Sequence, residues 1–166
     1  MTNVNTLNVS IERVKENELD SVYYIEKLSF RYPYPESLLL FYYRIFPEGF
    51  LVAKLGDKIV GYIIFLIERN SIGHIISLAV HPDYRRRGIG YMLVSSAISF
   101  LSSLNIKSVK LEVRVSNTAA IKLYEKAGFR KNKLLRRYYM DGEDGYLMIY
   151  SNLERPSSDV KKNTSK

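Results

Sequence analysis

One stretch restricts the fold more than any other: Ile75 to Val80, then His81-Pro82-Asp83-Tyr84, then Arg85-Arg86-Arg87, then Gly88-Ile89-Gly90-Tyr91. The apolar run is short, rich in β-branched residues and closed by Pro82, which predicts a buried strand opened by His74. Beyond Gly90 the apolar residues Leu93, Ala97, Leu101 and Leu104 recur at helical spacing, so the glycines fall where a helix begins. Past Asn105, Val109, Leu111, Val113 and Val115 alternate with Ser108, Lys110, Glu112 and Arg114, the period of a half-buried strand. Strand, crossover helix and strand imply a parallel pair with the helix packed on one face.

Glycine weakens a helix by roughly 1 kcal/mol per residue, so two in a first turn suggest that something approaches the backbone closely. Exposed N–H groups at a helix N-terminus, the positive end of the macrodipole and three arginines together make an anion site that suits a diphosphate. The pattern is not a P-loop, because no Gly-Lys-Ser/Thr follows. Nor is it the dinucleotide Gly-x-Gly-x-x-Gly, because Leu93 takes the third glycine position. Arg85-x-x-Gly88-x-Gly90 resembles the acetyl-CoA motif of the GNAT acetyltransferases, Arg/Gln-x-x-Gly-x-Gly/Ala. Taken alone, the same residues also fit a basic turn before an amphipathic helix.

The rest of the chain reads in order. Val9 and Ile11 fit a first strand, Leu19 to Leu28 a helix and Glu36 to Phe46 a second, with two prolines in Phe30-Arg31-Tyr32-Pro33-Tyr34-Pro35 separating the helices. Phe50 to Leu55 and Ile59 to Ile67 read as a hairpin about Gly56-Asp57-Lys58, and Glu68 to Gly73 as the next turn. Ser116-Asn117 offers an N-cap for a helix over Thr118 to Ala127, closed by Gly128. Phe129 to Arg137 and Gly145 to Tyr150 are expected strands about an Asp-Gly turn. Residues 1–8 read as loose, and the polar residues 153–166 as a disordered tail to a single domain spanning 1–152.

A second set of matches follows the first. Asn117-x-x-Ala120-x-x-Leu123-Tyr124-x-x-x-Gly128-Phe129, preceded by the strand Leu111-Glu112-Val113-Arg114, is similar to the other GNAT signature. Arg137-Tyr138-Tyr139-Met140-Asp141-Gly142-Glu143-Asp144 resembles the closing motif of the family's RimI-type and archaeal N-terminal acetyltransferase branch. The resemblance covers roughly residues 9–150. It implies a mixed α/β sheet, mostly antiparallel, with a splayed central parallel strand pair and helices on both faces.

By position, the resemblance puts Leu78, Ala79 and Val80 on the pantetheine-pairing strand and Arg86, Arg87, Gly88, Ile89, Gly90 and Tyr91 on the pyrophosphate loop of acetyl-CoA. Asn117 and Lys126 fall beside the same ligand, and Tyr124 near its sulfur. Glu112 falls on the proposed general base and His74 on a residue close to it. Tyr34, Tyr138 and Tyr139 fall on tyrosines that line the acceptor-peptide entrance. Each has a plainer alternative: a packed aromatic turn at Tyr34, a solvated face at Glu112, a structural role for His74 and an amphipathic helix at Tyr124.

Composition narrows the chemistry. The 166 residues include no cysteine, which excludes a disulfide framework, a thiolate metal site and a cysteine nucleophile, and two histidines alone argue against a zinc site. No metal is expected. No run reaches the ~18 apolar residues of a membrane span, and the N-terminus lacks a signal pattern, which reads as cytoplasmic. The net charge of +8 fits a basic solvated surface, attraction for polyanionic CoA, or attraction for a partner such as the ribosome. No direct nucleic-acid binding is expected from it.

The resulting expectation is an acetyl-CoA-dependent acyltransferase that acetylates protein N-termini, ribosomal proteins among them, by direct attack of the amine in a ternary complex. Its rivals are acetylation of lysine or a small amine on the same fold, a non-catalytic CoA-binding module, and, on the charge alone, a nucleic-acid-binding protein.

Overall fold

The structure, a computed structural model, describes residues 8–152. Apart from residue 8, the stretches expected to be loose or disordered lie outside the described residues, and so does the domain boundary placed after 152. In chain order the elements are β1 (Val9–Arg13), α1 (Leu19–Ser29), α2 (Glu36–Ile45), β2 (Phe50–Leu55), β3 (Lys58–Ile67) and β4 (Ile72–Val80). They continue with α3 (Ile89–Ser103), β5 (Ser108–Arg114), α4 (Thr118–Lys126), β6 (Arg130–Leu135) and β7 (Gly145–Ser151). The strands form one seven-stranded sheet in the order β1-β2-β3-β4-β5-β7-β6. Every neighbouring pair is antiparallel except β4 and β5, the two joined by the α3 crossover.

Two apolar clusters lie on opposite faces of this sheet. Leu93, Val94, Ala97 and Leu101 of α3, with Ile121 and Tyr124 of α4, pack on Ile63, Phe65, Ile75, Val109, Leu111 and Val113. Leu19, Val22 and Ile25 of α1, with Leu39 of α2, pack on Phe50, Val52, Tyr62 and Ile64. The helical spacing read in α3 therefore marks its core stripe as far as Leu101. Leu104 lies one residue past the helix and is 49% exposed.

The pairing of β4 with β5 is brief: Ile72 with Ser108, Gly73 with Val109 and His74 with Lys110. That pairing explains why β4 starts at Ile72, two residues before the expected opening at His74, and why the preceding turn is shorter. Ser71, with φ of +56°, closes the turn, and Glu68 N–H donates to the Ile72 carbonyl at 2.8 Å. Beyond His74 the two strands part, and β4 continues against β3 alone. Within that continuation the register skips Ile76, since Ile64 faces Ser77 while Phe65 faces Ile75. This bulge puts Ile76 and Ser77 both toward α1, and Ile75 toward α3.

Gly73 is set by how closely α3 crosses the parallel pair. A Cβ there would lie 2.6 Å from Leu101 Cδ1 and 3.3 Å from Val109 Cγ2, both in the packed core. Gly73→Ala should therefore destabilise the fold by about 1–3 kcal/mol, the usual cost of overpacking, read as a lower urea midpoint with an unchanged slope. An unchanged midpoint would show that Leu101 has room to move aside.

Candidate active site

The alternation of β5 decides what faces the gap opened by the parting strands. Val109, Leu111 and Val113 are buried against α3 and α4, so Lys110, Glu112 and Arg114 lie on the opposite face. His74 precedes the bulge and shares that face. Its Nε2 lies 2.7 Å from Glu112 Oε2, and its Nδ1 lies 2.8 Å from Glu68 Oε1. Glu68 in turn accepts from Lys110 Nζ at 2.9 Å. The structure thus brings together Glu112 and His74, 38 residues apart in sequence.

Three tyrosines from two loops converge on the same space. The Tyr34 phenol is pushed up to about 12 by burial first, then by charge on Tyr42, Glu26, Tyr138 and Glu112. Tyr139 is also pushed up to about 12, by burial first, with Arg114 opposing and Tyr138 and Glu112 adding. Burial, followed by the charge of Glu112, raises Tyr138 as well. The Tyr138 and Tyr139 rings meet edge to face with centroids 5.0 Å apart. All three phenols therefore stay protonated, able to donate hydrogen bonds.

The loop carrying Tyr138 and Tyr139 is fastened to β5 by a residue that no motif singled out. Arg114 Nη1 reaches Asp141 at 2.9 Å and Glu143 at 2.7 Å, while its guanidinium lies 4.1 Å over the Tyr139 ring. Glu143 also accepts from the Ser116 backbone N–H and hydroxyl, and Asp144 from the Arg137 N–H at 2.7 Å. Among the charged positions on β5, only an arginine fork suits two carboxylates and an aromatic face together.

The Tyr34 loop is fastened by a second unforeseen residue. Glu26 on α1 is 2% exposed. It accepts the Tyr34 N–H at 2.8 Å and the Tyr62 hydroxyl, which also lies 3.0 Å from Ser77 Oγ beside the bulge. Burial is the main cause that raises the Glu26 carboxyl above its ordinary value of 4.5, against the hydrogen bonds of Tyr62 and Tyr34. The only sequence signal was an acid at a helix position flanked by Ile25, on the buried stripe.

At the other end of β4, His81-Pro82-Asp83-Tyr84 makes a single 3₁₀ turn that leads to α3. Arg85 is spent on structure, its Nε donating to the Val80 carbonyl at 2.9 Å and its Nη2 to Ser29 Oγ at 3.2 Å. Arg86, Arg87 and Gly88 are exposed. Gly88 has φ of +80°, and no atom of the described residues lies within 4 Å of where its Cβ would stand. The first α3 bond runs from Met92 N–H to the Gly88 carbonyl at 3.0 Å, so the amides of the turn before it lack helical partners.

Gly90 has a packing reason to be glycine besides the one its spacing suggested. A Cβ there would meet Leu123 Cδ1 of α4 at 2.6 Å, so a side chain approaches this backbone, and Gly90 serves helix packing. The same contact brings α4 to the loop: Lys126 Nζ lies 4.9 Å over the Tyr91 ring. Asn117 caps α4, its Oδ1 accepting the Ala120 N–H at 3.2 Å, which leaves its amide nitrogen for other partners. Tyr124 is 7% exposed and packs on Phe129, its phenol raised by burial and then by Tyr139. Leu78 and Val80 stay half-exposed beside the unpaired edge of β4, while Ala79 is buried.

Two groups are therefore assembled around the parted strands. Leu78 to Val80 and Arg86 to Tyr91 lie about the α3 N-terminus, with Lys126 over the Tyr91 ring, and Asn117 caps the same helix that carries Lys126. Tyr34, His74, Glu112, Tyr138 and Tyr139 lie on the α1–α2 face. Tyr124 borders both through α4 and Tyr139. No cluster of three or more His, Cys, Asp or Glu side chains suited to a metal occurs among the described residues, and none of their helices is long and apolar enough to cross a membrane.

Comparison with known proteins matches residues 19–129 to the acetyltransferase (GNAT) family. An uncharacterised N-acetyltransferase of Methanocaldococcus jannaschii is 41% identical over 140 residues, covering 84% of this chain and 89% of its own length. An N-alpha-acetyltransferase of Sulfurisphaera tokodaii is 37% identical over 150 residues, covering 83% and 90%. Among solved structures, Ard1 from Thermoplasma volcanium superposes with a TM-score of 0.84 at 33% identity, over 88% of this chain and 99% of that one.

The raised Glu26 carboxyl makes a prediction with a definite sign. Above the ordinary value of 4.5 and up to its raised folded value, the native state holds the Glu26 proton more tightly than the unfolded chain does. Its contribution to stability is thus largest at the acid end of that interval and declines as pH rises through it. Glu26→Gln removes the titration and keeps the shape. The stability of wild type minus that of Glu26→Gln, from urea unfolding, should fall between pH 4 and pH 7. A difference that rises instead would mean the carboxyl is ionised in the fold and stabilised there.

Proposed function

The chain belongs to the acetyltransferase (GNAT) family, and on that premise we propose that it transfers the acetyl group of acetyl-CoA to the α-amino group of protein N-termini. The observation that carries this reading is the meeting of Glu112 and His74 with three protonated phenols at the mouth of the β4–β5 gap. The similarity to an N-alpha-acetyltransferase and to Ard1 supports the same acceptor class. Ribosomal proteins are included among the candidate acceptors.

Acetyl-CoA supplies an acetyl thioester, which a neutral amine attacks directly in the ternary complex. The amides and the αL turn at Gly88, together with Arg86 and Arg87, suit its diphosphate; the open space at Gly88 lets an anion reach the backbone. Leu78 to Val80 offer a strand edge, Lys126 flanks the loop over Tyr91, and Asn117 stands at the start of the same helix with its amide nitrogen open to the ligand. An α-amino group has a pKa of ~7.7–8.0 against ~10.4 for lysine, so near neutral pH far more of it is uncharged. Glu112 takes the remaining proton from the amine nitrogen, directly or through one water, with His74 holding the carboxylate. Backbone N–H groups on the free edge of β4 answer negative charge that develops on the carbonyl oxygen. The Tyr124 hydroxyl stands ready to give a proton to the departing sulfur, a modest aid to a thiol of pKa ~8.5. Tyr34, Tyr138 and Tyr139 hold the peptide N-terminus.

Incubation with acetyl-CoA and a library of peptides varied at the first two residues, ribosomal N-termini included, tests the acceptor by mass spectrometry. Acetyl should appear on the α-amine. Equal turnover of lysine side chains would favour the lysine rival, and no turnover with intact acetyl-CoA binding would favour a binding module.

Two variants separate donor from chemistry. Gly88→Ala meets no neighbour, so it should cost only the ~1–2 kcal/mol of an αL side chain. It should nonetheless weaken acetyl-CoA binding tenfold or more by calorimetry, and unchanged affinity would remove the diphosphate from this loop. Glu112→Gln keeps shape and removes the base, so kcat should fall by up to the ~10²–10⁴ of a general base. The loss should be greatest at pH 6–7, where the amine is most protonated, and partly recovered at higher pH. A pH-independent ratio to wild type would assign Glu112 to positioning alone.

A further inference from the structure

Glu68 lies in the turn between β3 and β4, and nothing in its sequence surroundings marks it. Its two carboxylate oxygens point to different partners: Oε1 to His74 Nδ1 at 2.8 Å and Oε2 to Lys110 Nζ at 2.9 Å. On the far side of the imidazole, Nε2 lies 2.7 Å from Glu112 Oε2. Lys110, Glu68, His74 and Glu112 therefore form one row across the β3–β4 turn, β4 and β5. Tyr138, from the β6–β7 loop, faces the same row, because its phenol senses both Glu112 and Lys110.

Hydrogen-bond bookkeeping restricts where the hydrogens sit. A lysine ammonium only donates, so it needs Glu68 as an acceptor. The Lys110 hydrogen bond is the main cause that lowers the Glu68 carboxyl from its ordinary value, which keeps it ionised. An ionised carboxylate only accepts, so His74 Nδ1 must carry hydrogen. Nε2 lies at hydrogen-bond distance from Glu112 Oε2, 2.7 Å, the second contact that fixes the ring and that carboxylate relative to each other. Oε2 of Glu112 is engaged, while Oε1 makes no hydrogen bond to protein among the described residues.

We propose that Glu68 is a positioning residue for acetyl transfer: by accepting the Nδ1 hydrogen it fixes the His74 ring, so that Nε2 is aimed at Glu112 Oε2 and Glu112 Oε1 is left to take the proton of the acceptor amine. The inference rests on assigning proton removal to Glu112, and it adds a residue that touches neither substrate. A merely structural row of ion pairs on a sheet face would steady the fold without governing the imidazole.

The two histidines of the chain make the test clean. His81 Nδ1 accepts the Asp83 N–H at 3.2 Å, so His81 carries its hydrogen on Nε2, the tautomer opposite to that assigned to His74. Proton–nitrogen correlation spectra of the imidazoles, recorded at about pH 8 where roughly half or more of an α-amine is neutral, read both rings. Wild type should show one ring with hydrogen on Nδ1 and one without. In Glu68→Leu the Nδ1 hydrogen of His74 should be lost. In the same variant kcat should fall about tenfold, a fraction of what a general base contributes, with peptide KM and acetyl-CoA affinity within twofold of wild type. Glu68→Gln, whose amide oxygen still accepts from Nδ1, should restore the Nδ1 pattern and most of kcat. A wild-type His74 spectrum in Glu68→Leu overturns the inference at any activity. So does a wild-type kcat once the tautomer has shifted, or a loss of acetyl-CoA affinity as large as that of kcat. Should the wild-type protein acetylate no peptide, the function fails on its own assay while the spectra still decide the link from Glu68 to His74.

Discussion

Everything at the site depends on two parallel strands that stay together for three residue pairs and then part. While β4 and β5 are paired, the sheet is closed and its backbone groups satisfy one another. Past His74, β4 keeps only β3 as a partner, and its other edge is left with unpaired N–H and C=O groups beside a gap. Such groups are costly to bury without partners, so a free edge inside a sheet is a standing demand for a ligand backbone or water. The last paired residue is His74 and the acid nearest the opening is Glu112, which is why their side chains meet at the mouth. The bulge at Ile76 belongs to the same device, since it turns Ser77 toward α1 while Ile75 stays under α3.

The α1–α2 face adds a set of polar contacts to its apolar cluster. Glu26, Tyr62 and Ser77 join a helix, β3 and β4 beneath the Tyr34 loop, with no cation of the described residues among the partners of the buried acid. Arg114 holds the Tyr138–Tyr139 loop by answering two carboxylates and an aromatic ring at once. Both loops that border the gap are thus tied to the sheet by side chains pointing from strands or helices. Loops fixed in that way are the usual carriers of recognition on a rigid scaffold.

Much of this was legible in the sequence. The alternation from Ser108 to Val115 assigned Glu112 to a polar face, and that face is where it lies. Arg85-x-x-Gly88-x-Gly90 marked the helix start, and the later motifs marked Tyr124, Tyr138 and Tyr139. Other residues could not be read because their reason for being there is a distant partner. Glu26 meets Tyr62 across 36 positions and Arg114 meets Asp141 across 27. Glu68 lies only six positions from His74, yet read as an ordinary polar residue of a turn. Gly90 was read as making way for a ligand, and Leu123 packed against it gives a further reason for glycine that only the fold shows.

The sequence by itself determined the order of elements, the faces of β5 and α3, and the place where a helix must begin on glycine. These follow from periods of 2 and 3.6 residues and from backbone conformations that only a few residues tolerate, all of them local properties of the chain. Only the tertiary structure decided which acid stands against which base, and which glycine is open to solvent. Those outcomes depend on where β4 and β5 cease to pair and on how closely α3 and α4 lie over them. Both are set by packing between segments far apart in the chain, where a shift of a single ångström separates a hydrogen bond from a gap.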